Sequence, residues 1–95
     1  MPIHWSTRAR RHLVSLRNFI AAHNPGAASA IAARILGAVE LLRERPSIGR
    51  PGRVPGTREL VISGTPYIVA YTVLDRQRVE ILAVFHGKQT WPQSL

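Results

Sequence analysis

An N-terminal antiparallel helical hairpin packed on a small antiparallel sheet, an α+β fold of order β-α-α-β-β-β, is the architecture the sequence predicts. Three observations predict it. Apolar residues recur at helical spacing up to about residue 45, a stretch crowded with proline and glycine follows at 46–56, and from residue 58 the apolar period drops to two. The 95 residues make one domain, 1–95. A domain of this size buries roughly 60–65% of its unfolded surface, enough for a single modest core.

Ile3-His4-Trp5 reads as a short extended segment, after which Ser6 or Thr7 can accept the first free N–H groups of a helix. Ala9, Leu13, Leu16 and Ile20 follow the spacing of one helical face, with Arg8, Arg11 and Arg17 mostly elsewhere. His23-Asn24-Pro25-Gly26 breaks that helix and starts another, because Asn24 is a good cap and Pro25 suits a first helical position. The second stripe is Ala28, Ile31, Ile35, Ala38, Val39 and Leu42, and it runs until about Arg45, where Pro46 stops it. Pro46, Pro51 and Pro55 with three glycines make 46–56 a loop. Strands follow at 58–62, 67–74 and 79–86, rich in Val, Ile, Leu and Tyr, and connections this short make them antiparallel. Tyr67, Val69, Tyr71 and Val73 share one face of the middle strand, which is expected to meet the helices. Leu13, Ile20, Ile31, Ile35 and Leu42 are the expected core contribution of the hairpin.

Twelve arginines and one lysine against five acids give a net charge of +8, and every acid lies at or after Glu40. A purely cationic N-terminal third calls for an anionic partner, either nucleic acid or an acidic protein. A composition of 45% hydrophobic and 19% charged residues excludes a disordered class. The absence of cysteine excludes a disulfide framework and thiolate metal sites. His4, His12, His23 and His86 have no helical metal spacing, so no metal or other cofactor is expected. No apolar run reaches about 18 residues and the start lacks an apolar signal core, so a cytoplasmic protein without membrane attachment is expected.

The segments Pro46-Ser47-Ile48-Gly49-Arg50-Pro51-Gly52, Gly56-Thr57-Arg58-Glu59-Leu60, Pro66-Tyr67-Ile68-Val69-Ala70-Tyr71 and Val84-Phe85-His86-Gly87, in this order behind a helical hairpin, resemble the RelE/ParE superfamily over nearly the whole chain. The resemblance implies a growth-inhibiting toxin of a type II toxin–antitoxin system. Its partner would be a cognate antitoxin encoded beside it, with operator DNA reached only through that antitoxin. One branch of the superfamily cleaves messenger RNA on the ribosome and carries an arginine after the first aromatic of the middle strand. Here Ile68 follows Tyr67. The other branch poisons DNA gyrase by protein contact and needs no catalytic array, and the sequence leans towards it. The ribosome-dependent endoribonuclease and a non-toxic basic binding module are the alternatives.

The candidate target- or antitoxin-binding residues are Arg50, Arg53, Arg58, His86, Lys88 and Trp91. His86 is the catalytic candidate if the chain is a ribonuclease, since a side chain titrating near neutrality suits both acid and base roles. The competing reading is a strand-end histidine bonded to backbone. Arg50 and Arg53 sit in a glycine-rich loop that can approach a phosphate or an acidic antitoxin closely; solvated loop charges are the alternative. Arg58 and Glu59 can pair with neighbours and fix the sheet edge. Trp91 can anchor a partner or cover that edge. An exposed final-strand edge, together with the charge, suits strand or helix addition by an acidic antitoxin.

Overall fold

The computed structural model describes residues 1–93. Strand β1 (Ile3–Trp5) leads into α1 (Thr7–Ala21), then α2 (Pro25–Glu40) and a short 3-10 turn, Leu41–Arg43. Beyond the proline-rich loop come β2 (Arg50–Pro51), β3 (Arg58–Val61), β4 (Tyr67–Leu74) and β5 (Arg78–His86). Ser6 caps α1 by accepting the Ala9 N–H at 3.0 Å, and Asn24 caps α2 by accepting the Ala27 N–H at 3.1 Å, with Pro25 at the first helical position. Only residues 22–24 separate the helices, so they pack antiparallel against one face of the sheet.

The core between hairpin and sheet is built on Ala9, Ile35, Val39 and Leu42 from the helical side and Val69, Tyr71, Val79, Ile81 and Val84 from the strands. The helical phase read from the sequence places Ile35 and Leu42 in full burial and Leu13 and Ile31, half-buried, against the same cluster. Ile20, at the far end of α1, is half-buried outside it. Segment Pro25–Arg43 reaches a mean hydropathy of 1.3, apolar enough by length and composition to cross a membrane. Here its most buried residues, Ala28, Ile35, Val39 and Leu42, belong to the domain core.

The strand order is β1-β5-β4-β3-β2. The expected antiparallel meander of β3, β4 and β5 is present, and β1 adds one parallel pair, from Ile3 opposite Val79 to Trp5 opposite Ile81. That pairing corrects the expectation of an open final-strand edge. The chain turns into α1 immediately after β1, so the Ser6 N–H donates to the Ile81 carbonyl at 3.0 Å and the Ser6 hydroxyl to the Leu82 carbonyl at 3.2 Å. Further along, the Val84 N–H donates to Nδ1 of His12 at 3.1 Å. The edge of β5 is thus closed first by a strand and then by the side chains of Ser6, the cap of α1, and His12, which satisfy backbone groups that would otherwise invite pairing.

A bulge between β4 and β5 changes which residues face the helices. Ala70 lies opposite Ala83, but Tyr71 lies opposite Ile81, leaving Leu82 as the extra residue. Val79 and Ile81 therefore join the helix-side core, whereas Ala83 and Phe85 turn to the back of the sheet. There they meet Ile68, Ala70 and Trp91 in a second, thinner cluster edged by Val54 and Leu82.

Candidate functional site

The loop at 46–57 is an arch clamped at both ends by side chains from the sheet. On the helix side, the buried Tyr71 hydroxyl donates to the Pro46 carbonyl at 2.7 Å and accepts the Gly49 N–H at 2.9 Å. Burial raises the Tyr71 pKa above the usual phenol value, against the opposing pull of the Gly49 N–H and of the Arg58 charge. Glycine is required at 49, since a Cβ there would stand 2.6 Å from that hydroxyl oxygen. Arg58 lies over the same end of the arch and donates to the carbonyls of Gly49 at 2.8 Å and Ser47 at 3.3 Å.

On the back of the sheet the arch closes on Glu59, which is only 2% exposed. A carboxylate buried this far needs partners, and it has them. Oε1 accepts from Arg50 Nη2 at 3.2 Å, while Oε2 accepts the Arg53 N–H at 3.0 Å and lies 3.4 Å from Arg53 Nε. Arg53 also donates to the Gln89 carbonyl at 3.2 Å, and its guanidinium stands 5.1 Å from the Phe85 ring centroid. Phe85 in turn stacks on Trp91, ring centroids 5.9 Å apart and planes 18° off parallel.

The structure thus brings Arg50, Arg53 and Trp91 to the back face with Phe85. Arg58 acts on the other side of the arch, and His86 and Lys88 lie at the end of β5. Trp91 is buried and packs on the back of the sheet with Phe85, Ile68, Ala70 and Ala83. Arg50, Arg53 and Arg58 all make internal contacts, which makes the arch a pre-formed element. Ile68 is buried in the back cluster and extends its apolar floor.

His86 has the strand-end arrangement. Its Nδ1 accepts the Lys88 N–H at 3.1 Å, its own N–H donates to Gln89 Oε1 at 2.7 Å, and its ring meets Tyr67 edge-on at 5.9 Å. In the neutral ring the proton therefore resides on Nε2. His12 is the functional candidate that sequence reasoning passed over. Its Nδ1 is engaged in the same way by Val84, and its pKa is lowered by burial and then by the neighbouring Arg8 charge. The available signal was its place, three residues after Ala9, at the margin of the apolar stripe of α1. No group of three or more metal-ligating side chains occurs among the described residues.

Residues 3–91 match the family model for the ParE toxin of type II toxin–antitoxin systems, parDE. The chain is 46% identical over 93 residues to the candidate toxin Y4kP of Sinorhizobium fredii, covering 98% of this chain and 95% of that one. It is 37% identical over 83 residues to toxin RelE2 of Caulobacter vibrioides, covering 87% and 91%. Among solved structures, it superposes on a chain of the chromosomal ParDE toxin–antitoxin system from P. aeruginosa with a TM-score of 0.82 at 24% identity, a likeness of fold. A chain of the RelBE2 toxin–antitoxin complex from Mycobacterium tuberculosis gives 0.58 at 30% identity, and in both cases 90% of this chain and 95% of the other are covered. With a family model spanning nearly all its residues and a close relative matched end to end, the chain belongs to the ParE toxin family of type II toxin–antitoxin systems.

Proposed function

We propose that the chain inhibits growth by protein contact with DNA gyrase, without catalysis, and is neutralised by an acidic cognate antitoxin. The observation that carries this reading is the hydrogen bond from the Lys88 N–H to Nδ1 of His86. Ribonuclease chemistry asks a histidine either to take a proton on Nε2 as base or to give one from the imidazolium as acid. Both forms put a proton on Nδ1, where it would face the Lys88 N–H. Each role then forfeits that bond and leaves two donors opposed, a cost of about 0.5–1.5 kcal/mol for an exposed contact, or roughly 2- to 13-fold in rate. The buried, apolar Ile68 supports the same reading, because a cation stabilising charge on the scissile phosphate is typically worth about 10²- to 10³-fold.

The antitoxin partner is supported by the solved relatives, which belong to toxin–antitoxin assemblies, and by a hairpin that has no acid before Glu40. The alternative, messenger cleavage on the ribosome, draws on the relative named RelE2. Purified toxin should block supercoiling by gyrase and its induction should trigger DNA-damage signalling, with no new cuts in translated messages by primer extension. Codon-positioned cleavage abolished by His86→Ala would overturn the choice.

A further inference from the structure

Between the second half of α1 and the far end of β4 and β5 lies a cleft of about 390 Å³. His12 and Ser15 enter it from the helix, Tyr67 and His86 from the sheet, and Gln89 from the segment after β5. Each of its polar side chains has a donor to offer. His12 and His86 both have Nδ1 occupied by backbone N–H groups, so each neutral ring has an Nε2–H left to offer. Gln89 has Oε1 on the His86 N–H, which leaves its amide NH₂. No hydrogen bond engages the hydroxyls of Ser15 and Tyr67 among the described residues. A metal ion does not suit this geometry, because coordination through Nε2 needs the ring proton on Nδ1, where Val84 and Lys88 already present theirs.

Donors set beside an apolar wall of Leu16, Phe19 and Val84 complement an acceptor carried on an apolar chain. Two observations select a carboxylate. No acid lines the cleft, and no arginine or lysine does either, whereas phosphate recognition calls for guanidinium or ammonium groups at the contact. Phe19 stands at the rim 73% exposed, stacked on His23 at 6.3 Å, which makes it an apolar contact for a partner. The approach to the cleft is also cationic, since α1 carries Arg8, Arg10, Arg11 and Arg17 and no acid.

We infer that this cleft seats an acidic residue of the antitoxin, its carboxylate accepting from the Nε2–H groups of His12 and His86 while a neighbouring apolar side chain packs on Phe19 and Leu16. The inference rests on the antitoxin reading given above. The test uses the full chain and the antitoxin encoded beside it, with Kd measured by calorimetry for the wild type and for Ser15→Glu, Phe19→Ser and the charge control Gln77→Glu. All three positions are exposed, so the fold is not at stake. Ser15→Glu should weaken binding by about tenfold or more, since it sets like charge against the seated carboxylate, and Phe19→Ser by about tenfold. Gln77→Glu, in the distant β4–β5 turn, should stay within about twofold. If the pair binds and Ser15→Glu and Phe19→Ser behave like the control, the cleft assignment is overturned while the antitoxin reading stands. A wild-type pair that fails to associate at moderate salt removes both. Loss of gyrase inhibition in Ser15→Glu with unchanged antitoxin affinity would assign the cleft to the target instead and equally overturn the inference.

Discussion

The arginines of α1 and those of the 46–57 arch and its flank carry the same charge and have opposite roles. Arg8, Arg10, Arg11 and Arg17 are exposed on α1, and no hydrogen bond or ion pair engages their side chains among the described residues. Arg50 and Arg53 converge on the buried Glu59, and Arg58 bridges two carbonyls of the arch. The net charge of +8 therefore hides two populations. The first is available to an acidic partner, and the second stabilises a loop whose three prolines and three glycines could not hold a shape by backbone hydrogen bonding alone. Charge counts by segment locate cations, but whether a buried acid already claims them decides which can recognise anything.

The largest effect expected from this contrast is at Glu59. Glu59→Ala removes both bonds and the ion pairs that tie the arch to the sheet, and should cost about 2–3 kcal/mol in urea denaturation. That lies below the range for a fully buried pair because the arginine ends are partly solvated. A midpoint equal to wild type would erase the distinction between the two sets of arginines. Tyr71→Phe comes next, at about 1–3 kcal/mol, since it leaves the Gly49 N–H and the Pro46 carbonyl without their partner. Arg10→Ser with Arg11→Ser should leave stability within about 0.5 kcal/mol. The same pair should slow association with the antitoxin several-fold at low salt and flatten its salt dependence. A stability loss as large as that of Glu59→Ala would show that the arginines of α1 are structural too.

Most of the fold was legible in the sequence because periodicity and breakers act locally. Asn24-Pro25 starts α2 by chemistry confined to one turn, and β4 spans the very residues its alternation marks, Tyr67–Leu74. What escaped depends on distant partners. Three residues, Ile3–Trp5, carry no information on whether they pair parallel or antiparallel, and the choice is made by α1 having to lie across the sheet. Strict alternation along β5 puts Val79, Ile81, Ala83 and Phe85 on one face; the bulge at Leu82 divides them, and nothing in Ile81-Leu82-Ala83 signals it. In the candidate site, Arg50, Arg53 and His86 were found as residues but not as contacts. Glu59, an acid at an inward strand position amid arginines, was the readable clue to where two of those side chains go.

The smallest effect concerns His12, and it bears on the cleft as well as on the comparison, because the charge of Arg8 is one of the causes that keep this ring neutral. Burial comes first among those causes, so the folded pKa lies below the roughly 6.5 of the unfolded chain. Between the folded value and about 6.5 the unfolded chain binds more protons than the folded one, and stability must therefore rise with pH across that window. The contribution is complete above about 6.5 and is lost as pH falls through the window, when a proton on Nδ1 would confront the Val84 N–H. Since the ring is only partly buried, solvent screening keeps the effect below those of Glu59 and Tyr71. Asparagine can present its Oδ1 to the Val84 N–H without titrating. His12→Asn should thus stay close to wild type at pH 7.5 and lose less stability on moving to pH 5.5. Parallel urea midpoints for the two proteins at both pH values would mean that the pin between α1 and the β5 edge does not depend on the protonation state of His12.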